Sequence, residues 1–231
     1  MIDFHSHILP GIDDGSADPA ESIALLQMQR EQGADTVVAT PHFYPERQSP
    51  DSFLRHRAES AARLKEKQTD GLPEIRLGAE VAYYDGISRM DCLTDFCIEG
   101  SRTLLVEMPF SDWTEYMMQE LIVIRQVKQL SVVLAHIERY LPRNARWLDR
   151  LTDTGIWLQS NASFFRGFWL RKACAMLKKG QIHLLGSDCH NLASRPPLLA
   201  DAIRNIRKYA GEAALDQMDD YGQYLLGFHD E

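Results

Sequence analysis

Short, β-branched apolar runs alternate with longer amphipathic ones along nearly the whole chain, and this alternation restricts the fold more than any other feature. The short runs are Ile2–His5, Thr36–Thr40, Ile75–Val81, Leu104–Met108, Val132–His136, Ile156–Ser160 and Ile182–Gly186. Most have no polar face, as expected of strands covered on both sides in a parallel sheet. Between the first two, Asp18-Pro19-Ala20-Glu21 reads as an N-cap, a first-turn proline and a capping-box glutamate, with Gly33 as the stop. Ser49-Pro50 opens a second helix to about Lys67. Further helices are expected over Tyr116–Lys128, Asn144–Asp153, Arg166–Lys179, Pro197–Tyr209 and Glu212–Leu226. Strand and helix thus alternate seven times, which predicts an α/β fold on a parallel sheet. Periodicity alone allows an open doubly wound sheet as well as a closed barrel. With 231 residues and no linker rich in Pro, Gly or Ser, the chain reads as a single domain over 1–231.

The unusual polar residues fall at the strand ends. His5 and His7 end the first run, with Asp13-Asp14-Gly15 in the loop after it. His42 follows the second run, Glu80 and Glu107 lie near the ends of the third and fourth, His136 ends the fifth, and Asp188 and His190 end the seventh. Taken singly each has an ordinary explanation: His-x-His arises by accident, and Asp-Asp-Gly is a turn signal. Together they occupy the carboxyl-end face where parallel sheets bind ligands. A closed barrel gathers them about one axis, so the constellation favours a barrel. Carboxylates held this close repel one another, and bound cations are the simplest remedy. Imidazole with carboxylate suits Zn, Fe, Mn or Ni. The set exceeds what one ion needs, so two or three ions with bridging carboxylates are expected, able to activate water and clamp phosphoryl oxygens.

Two arginines follow this face closely, Arg139 in His136-Ile137-Glu138-Arg139 and Arg195 in Asn191-Leu192-Ala193-Ser194-Arg195. A guanidinium fork suits bidentate phosphate binding. Asn161, at the end of the sixth run, is a candidate polar contact. His56, His183 and His229 fit no such pattern and are assigned surface or core roles. The net charge of −8 gives no reason to expect nucleic-acid binding, and no run approaches a membrane span. The opening Met1-Ile2-Asp3-Phe4-His5 has no basic region before an apolar one, so no signal peptide is expected. Four cysteines without a Cys-x-x-Cys pair suit a reducing cytoplasm. None lies in the Cys-x5-Arg loop that a cysteine phosphatase needs.

The stretch from Ile2 to Gly15, with its His5-Ser6-His7 and Asp13-Asp14-Gly15, resembles the polymerase-and-histidinol-phosphatase (PHP) superfamily. It is more closely similar to the bacterial manganese-dependent protein-tyrosine phosphatases encoded with capsule and exopolysaccharide genes. Ala39-Thr40-Pro41-His42, Gly78-Ala79-Glu80, Leu105-Val106-Glu107-Met108-Pro109, His136-Ile137-Glu138-Arg139-Tyr140, Gly186-Ser187-Asp188-Cys189-His190-Asn191 and Ser194-Arg195-Pro196-Pro197 resemble successive motifs of that family. The resemblance implies a distorted seven-stranded (β/α)7 TIM-like barrel holding three metals, most readily Mn, with Fe, Co or Zn as alternatives. It implies one ion on His5, His7, Glu80 and Asp188, a second on Glu80, Glu107 and His136, and a third on Asp14, His42 and His190. Arg139 and Arg195 match its phosphate-binding arginines.

The implied reaction is hydrolysis of phosphotyrosine by in-line attack of a metal-bridged hydroxide, with no phosphoenzyme. The implied partner is a membrane-associated tyrosine autokinase of polysaccharide export. Cys189 stands where the family is expected to have a small residue such as Ala, which would open the site to oxidation. The alternatives are a small-molecule phosphomonoesterase such as a histidinol-phosphate phosphatase, and a non-catalytic kinase-docking adaptor. The adaptor would require lost ligands, and none is lost here.

Overall fold

The expected alternation is present in the computed structural model, which describes residues 1–228, but the third expected strand is broken and a short extra strand follows the second. In chain order the strands are β1 (Ile2–Ser6), β2 (Thr36–Ala39), β3 (His42–Phe43), β4 (Glu74–Leu77), β5 (Glu80–Ala82), β6 (Thr103–Glu107), β7 (Ser131–Leu134), β8 (Trp157–Asn161) and β9 (Leu184–Gly186). One sheet has the order β1-β2-β4 and the other β3-β5-β6-β7-β8-β9, with every pair parallel. Pro41, which has no N–H to give a ladder, separates β2 from β3, and Gly78-Ala79 separates β4 from β5. The course continues across both breaks, because Gly78 N–H donates to Ala39 O at 2.8 Å and Glu80 N–H to Pro41 O at 3.0 Å. The seven continuous strands expected from sequence are therefore corrected to nine shorter ones in two sheets. β9 returns to β1 through Asp188 N–H donating to His5 O at 2.8 Å and His7 N–H donating to Cys189 O at 2.9 Å.

The helices are α1 (Pro19–Glu31), α2 (Pro50–Lys65), α3 (Glu115–Gln126), α4 (Leu148–Asp153), α5 (Leu170–Lys178), α6 (Leu199–Tyr209) and α7 (Glu212–Leu226). Asp18 caps α1 as its sequence requires, its carboxylate accepting from Ala20 N–H at 2.8 Å and Glu21 N–H at 3.0 Å. The segments ahead of α4 and α5 run as 3-10 turns, Ala145–Trp147 and Gly167–Trp169, so both helices start later than expected. α7 is tied to the amino ends of strands: Ile2 N–H donates to Asp219 Oδ1 at 3.0 Å, and Thr103 Oγ1 to Leu225 O at 2.6 Å. That leaves the carboxyl ends free to carry the site. No helix among the described residues is long and apolar enough to cross a membrane.

Candidate metal centre

Glu80, the first residue of β5, is the hub of the polar cluster. Its side chain is 1% exposed. Its Oε1 lies 2.8 Å from His136 Nε2, and its Oε2 lies 2.9 Å from His42 Nδ1, 3.3 Å from His5 Nε2 and 3.4 Å from His7 Nε2. Glu107 Oε1 lies 3.5 Å from His136 Nε2. Asp188 Oδ1 faces His7 Nε2 at 3.5 Å, His190 Nδ1 at 3.6 Å and His5 Nε2 at 3.8 Å. Asp14 Oδ1 lies 3.5 Å from both His42 Nε2 and His190 Nε2. All nine ligand candidates read from the sequence thus meet in one cluster.

Donor atoms of three sets lie within 4.8 Å of one another: His7, Asp14, His42 and His190; His5, His7 and Glu80; and His42, Glu80 and Glu107. The first two overlap the groups implied by the family resemblance. The third has His42 where that grouping has His136.

The donor set fits cations. His5 Nδ1 lies 3.2 Å from Gln159 Oε1 and His7 Nδ1 lies 2.8 Å from Asp13 Oδ2. Each acceptor holds the ring proton on Nδ1, which turns the Nε2 lone pair inward. The two Nε2 atoms then face each other at 3.1 Å beside two carboxylates. Glu80 Oε2 is buried with its imidazole neighbours out of hydrogen-bond alignment, and His190 Nε2 is buried with no hydrogen-bond partner. Converging lone pairs of this kind are costly to bury unless a positive charge satisfies them.

Without a cation, protons are drawn into that role. Burial would depress the His7 imidazole, but Asp13, Asp188 and Glu80 overcome it and hold it well above its usual range. His136 is likewise raised to about 9, burial being outweighed by Glu107 and Glu80. Asp13 is lowered to about 2, its burial overcome by His7. His190 is pushed down to about 4, first by burial and then by the charge of His7. The linkage has a definite sign. A His136 that titrates at 6.5 when unfolded and about 9 when folded stabilises the metal-free protein below about pH 6.5, and that contribution is lost as pH rises towards 9. A cation must displace the proton. Affinity for Mn should therefore rise by about tenfold per proton released and per pH unit from pH 7 towards 9. Calorimetric Mn titrations in buffers of different ionisation enthalpy read the released protons, and buffer-independent heats would refute the linkage.

Supporting residues come from loops and neighbouring strands. Asp13, read from sequence only as part of a turn, holds His7 and also accepts His42 N–H at 3.0 Å. Gln159 on β8 passed unnoticed in the sequence, because a polar residue in an apolar run carries no motif. Its Oε1 also accepts His136 N–H at 2.7 Å, and its Nε2 donates to Asn161 Oδ1 at 3.1 Å. Asn161 in turn donates to Asp188 Oδ2 at 2.7 Å. His136 and Asp188 both have left-handed backbone, with φ of 34° and 52°, a conformation that non-glycine residues adopt at a cost of about 1–3 kcal/mol. Such strain is characteristic of residues held in place for function.

Gly186 makes room for this scaffold. A Cβ there would lie 2.5 Å from Gln159 Nε2 and 2.6 Å from His5 Cβ. Gly186→Ala should therefore destabilise the fold by about 1–3 kcal/mol through overpacking. It should also weaken metal binding by about 10–100-fold through His5. Thermal unfolding and metal titration of the variant check both, and wild-type metal affinity would exclude the Gln159 route.

The remaining sequence candidates separate cleanly. Arg195 Nη2 donates to Asp188 Oδ2 at 2.8 Å, whereas Arg139 Nη1 stays 3.9 Å from the same oxygen with its guanidinium over the Phe110 ring. Both arginines stand at the rim of a 410 Å³ pocket over Asp14, His42 and Glu107. His56 is exposed on α2. His183 has a structural role, its Nδ1 accepting Leu158 N–H at 3.0 Å while burial lowers it to about 4. His229 lies outside the described residues. Cys189 is fully buried, and burial pushes its thiol up, so the substitution does not place a reactive thiolate at the site.

Residues 1–220 match the family model described as capsular polysaccharide synthesis, CpsB/CapC. The chain is 33% identical to tyrosine-protein phosphatase CpsB of Streptococcus pneumoniae, over 98% of each chain. It is 27% identical to tyrosine-protein phosphatase YwqE of Bacillus subtilis, over 98% of this chain and 91% of that one. It also superposes on a chain from the crystal structures of YwqE from Bacillus subtilis and CpsB from Streptococcus pneumoniae, described as unique metal-dependent tyrosine phosphatases. The TM-score is 0.83 at 26% identity, covering 100% of this chain and 96% of the other.

Proposed function

Because this chain belongs to the CpsB/CapC family of capsular polysaccharide synthesis, we propose that it is a metal-dependent protein-tyrosine phosphatase. The observation that carries the proposal is the convergence of inward-facing imidazole nitrogens and carboxylates on Glu80, with two arginines at the rim. We read the two sheets as one distorted seven-stranded barrel and the chain as a single metallophosphatase domain over 1–231. His5, His7, Glu80 and Asp188 would hold one ion, Glu80, Glu107 and His136 a second, and Asp14, His42 and His190 a third. Manganese is the proposed occupant. Bound divalent ions would supply Lewis-acid neutralisation of phosphoryl charge and a water of lowered pKa.

The chain's own groups do the rest. Arg139 and Arg195 present guanidinium donors to the phosphoryl oxygens and orient the ester over the cluster. Asp188 divides its work: Oδ1 faces the imidazoles while Oδ2 holds Arg195 and Asn161. Arg195 is thus positioned before any substrate arrives. The leaving phenolate, with a pKa of about 10, departs with little help from a general acid. No cysteine is suited to covalent attack: burial pushes Cys97 up to about 12 and raises Cys92, Cys174 and Cys189 too. The partner that suits a capsule family is a phosphotyrosine-bearing, membrane-associated tyrosine autokinase met in the cytoplasm.

The test compares kcat/KM on phosphotyrosyl peptide, phosphoseryl peptide and histidinol phosphate, using chelated protein with and without added Mn. Mn-dependent hydrolysis that favours phosphotyrosine is expected. Full activity in protein shown metal-free by elemental analysis, or a preference for histidinol phosphate, would overturn the reading.

A further inference from the structure

Beyond the two arginines lies a second and larger hollow that the hydrolytic chemistry does not need. It measures about 720 Å³ and is lined by Leu141 and Pro142 on one side and by Phe164, Trp169 and Lys172 on the other. Arg139 and Arg195 line it too, so it is continuous with the 410 Å³ pocket over the metal ligands. The far wall is the short segment between β8 and α5. There Phe168 is 90% exposed and Trp169 51% exposed, with their rings in edge contact at 5.1 Å. Two adjacent aromatic side chains left in water beside an active-site groove mark a contact surface more readily than a packing accident.

The charges in this groove are unequal. Its carboxylates are already engaged: Glu138 accepts Asn161 N–H, and Asp188 is held by Asn161 and Arg195. Lys172 has Trp169 beneath it at 5.4 Å and makes no ion pair among the described residues. With Arg195 engaged by Asp188, the groove of this chain of net charge −8 still carries two cations without a close carboxylate, Lys172 with no ion pair among the described residues and Arg139 with one only at 3.9 Å. Such a pair attracts an acidic ligand that the rest of the surface repels.

We propose that this groove receives the peptide segment flanking the phosphotyrosine, and that Lys172 selects a Glu or Asp side chain there while Trp169 covers its apolar stem. The proposal rests on the phosphatase reading above. It makes Lys172 and Trp169 specificity residues for acidic phosphopeptides, with no part in the chemical step.

The experiment uses the Mn-loaded full chain with free phosphotyrosine and with phosphotyrosyl peptides carrying Glu, Gln or Lys at the two positions on either side. Wild-type protein should prefer Glu peptides over Gln peptides by about 3- to 10-fold in kcat/KM, through KM, with the preference shrinking at high salt. Lys172→Glu should reverse the order in favour of Lys peptides while leaving free phosphotyrosine unchanged. Trp169→Ala should raise KM about tenfold on every peptide, again sparing free phosphotyrosine. Equal rates on Glu and Lys peptides in the wild type would overturn the subsite while leaving the phosphatase reading intact. So would a Lys172→Glu loss that is as large on free phosphotyrosine as on peptide. No hydrolysis of any phosphotyrosyl compound would instead overturn the underlying reading, and the subsite with it.

Discussion

Glu80→Gln is expected to lower kcat/KM by about 10³-fold or more, equivalent to at least about 4 kcal/mol of transition-state stabilisation. The substitution keeps the shape of the side chain and removes only its charge. Four imidazoles approach that carboxylate, between 2.8 Å for His136 and 3.4 Å for His7. A neutral amide presents one acceptor oxygen and an NH2 whose protons point into the cluster, so it can hydrogen-bond an imidazole lone pair but can no longer offer a charged lone-pair set to a cation. The proposed bridging position disappears with the charge. Metal content should therefore fall by at least one ion per chain, and the rise in unfolding temperature on adding Mn should shrink, since an ion that binds only the folded chain stabilises it by mass action. Elemental analysis, thermal unfolding and kinetics on one preparation decide the matter. Wild-type turnover with unchanged metal content would remove Glu80 from the centre of the site.

How far the sequence predicts this arrangement depends on which interactions are local. The strand runs and helix caps are local, and they appear where expected: α7 spans Glu212–Leu226 as read, and Asp18 caps α1. Most of the ligands were legible because they sit beside the end of a recognisable apolar run. The break at Gly78-Ala79 was less so, since an apolar run with one glycine still reads as continuous, and the two-residue strand His42–Phe43 is too short to show a pattern. The break matters, because it makes Glu80 the first residue of a new strand and not the end of an old one. Least legible were the residues that act across the fold. Gln159 reaches His5, 154 positions away, and nothing near residue 159 announces it. Asp3 is similar: it looks like a stray charge in β1, yet it is fully buried and joins Ser187 N–H at 2.7 Å to Gln29 Nε2 at 2.7 Å. Burial raises its pKa, and those donors counter the shift only in part. Partners of this kind are set by the closure of β9 onto β1, which no short window of sequence contains.

That same division of labour separates the two rim arginines, and it makes Arg139→Ala the more informative of the two substitutions. Arg195 is hydrogen-bonded to Asp188 Oδ2 at 2.8 Å, so removing it leaves a buried carboxylate oxygen short of a partner and disturbs a proposed metal ligand. Arg139 holds the same oxygen only at 3.9 Å, is 43% exposed, and rests on the Phe110 ring. Its guanidinium is free to turn to a phosphoryl group. Arg139→Ala should accordingly lower kcat/KM by about 10²–10³-fold, or about 3–4 kcal/mol, the usual loss for one preorganised donor to a developing oxyanion. Metal content should remain at the wild-type level. Arg139→Lys should recover only part of the rate, because an ammonium restores the charge without the two-pronged geometry. If the contact already exists in the ground state, inorganic phosphate should inhibit the alanine variant more weakly. Kinetics paired with metal analysis on the same preparations separates the cases. Wild-type kcat/KM in Arg139→Ala would refute the role, whereas a rate loss tracking metal loss would place Arg139 among the groups that hold the cluster together.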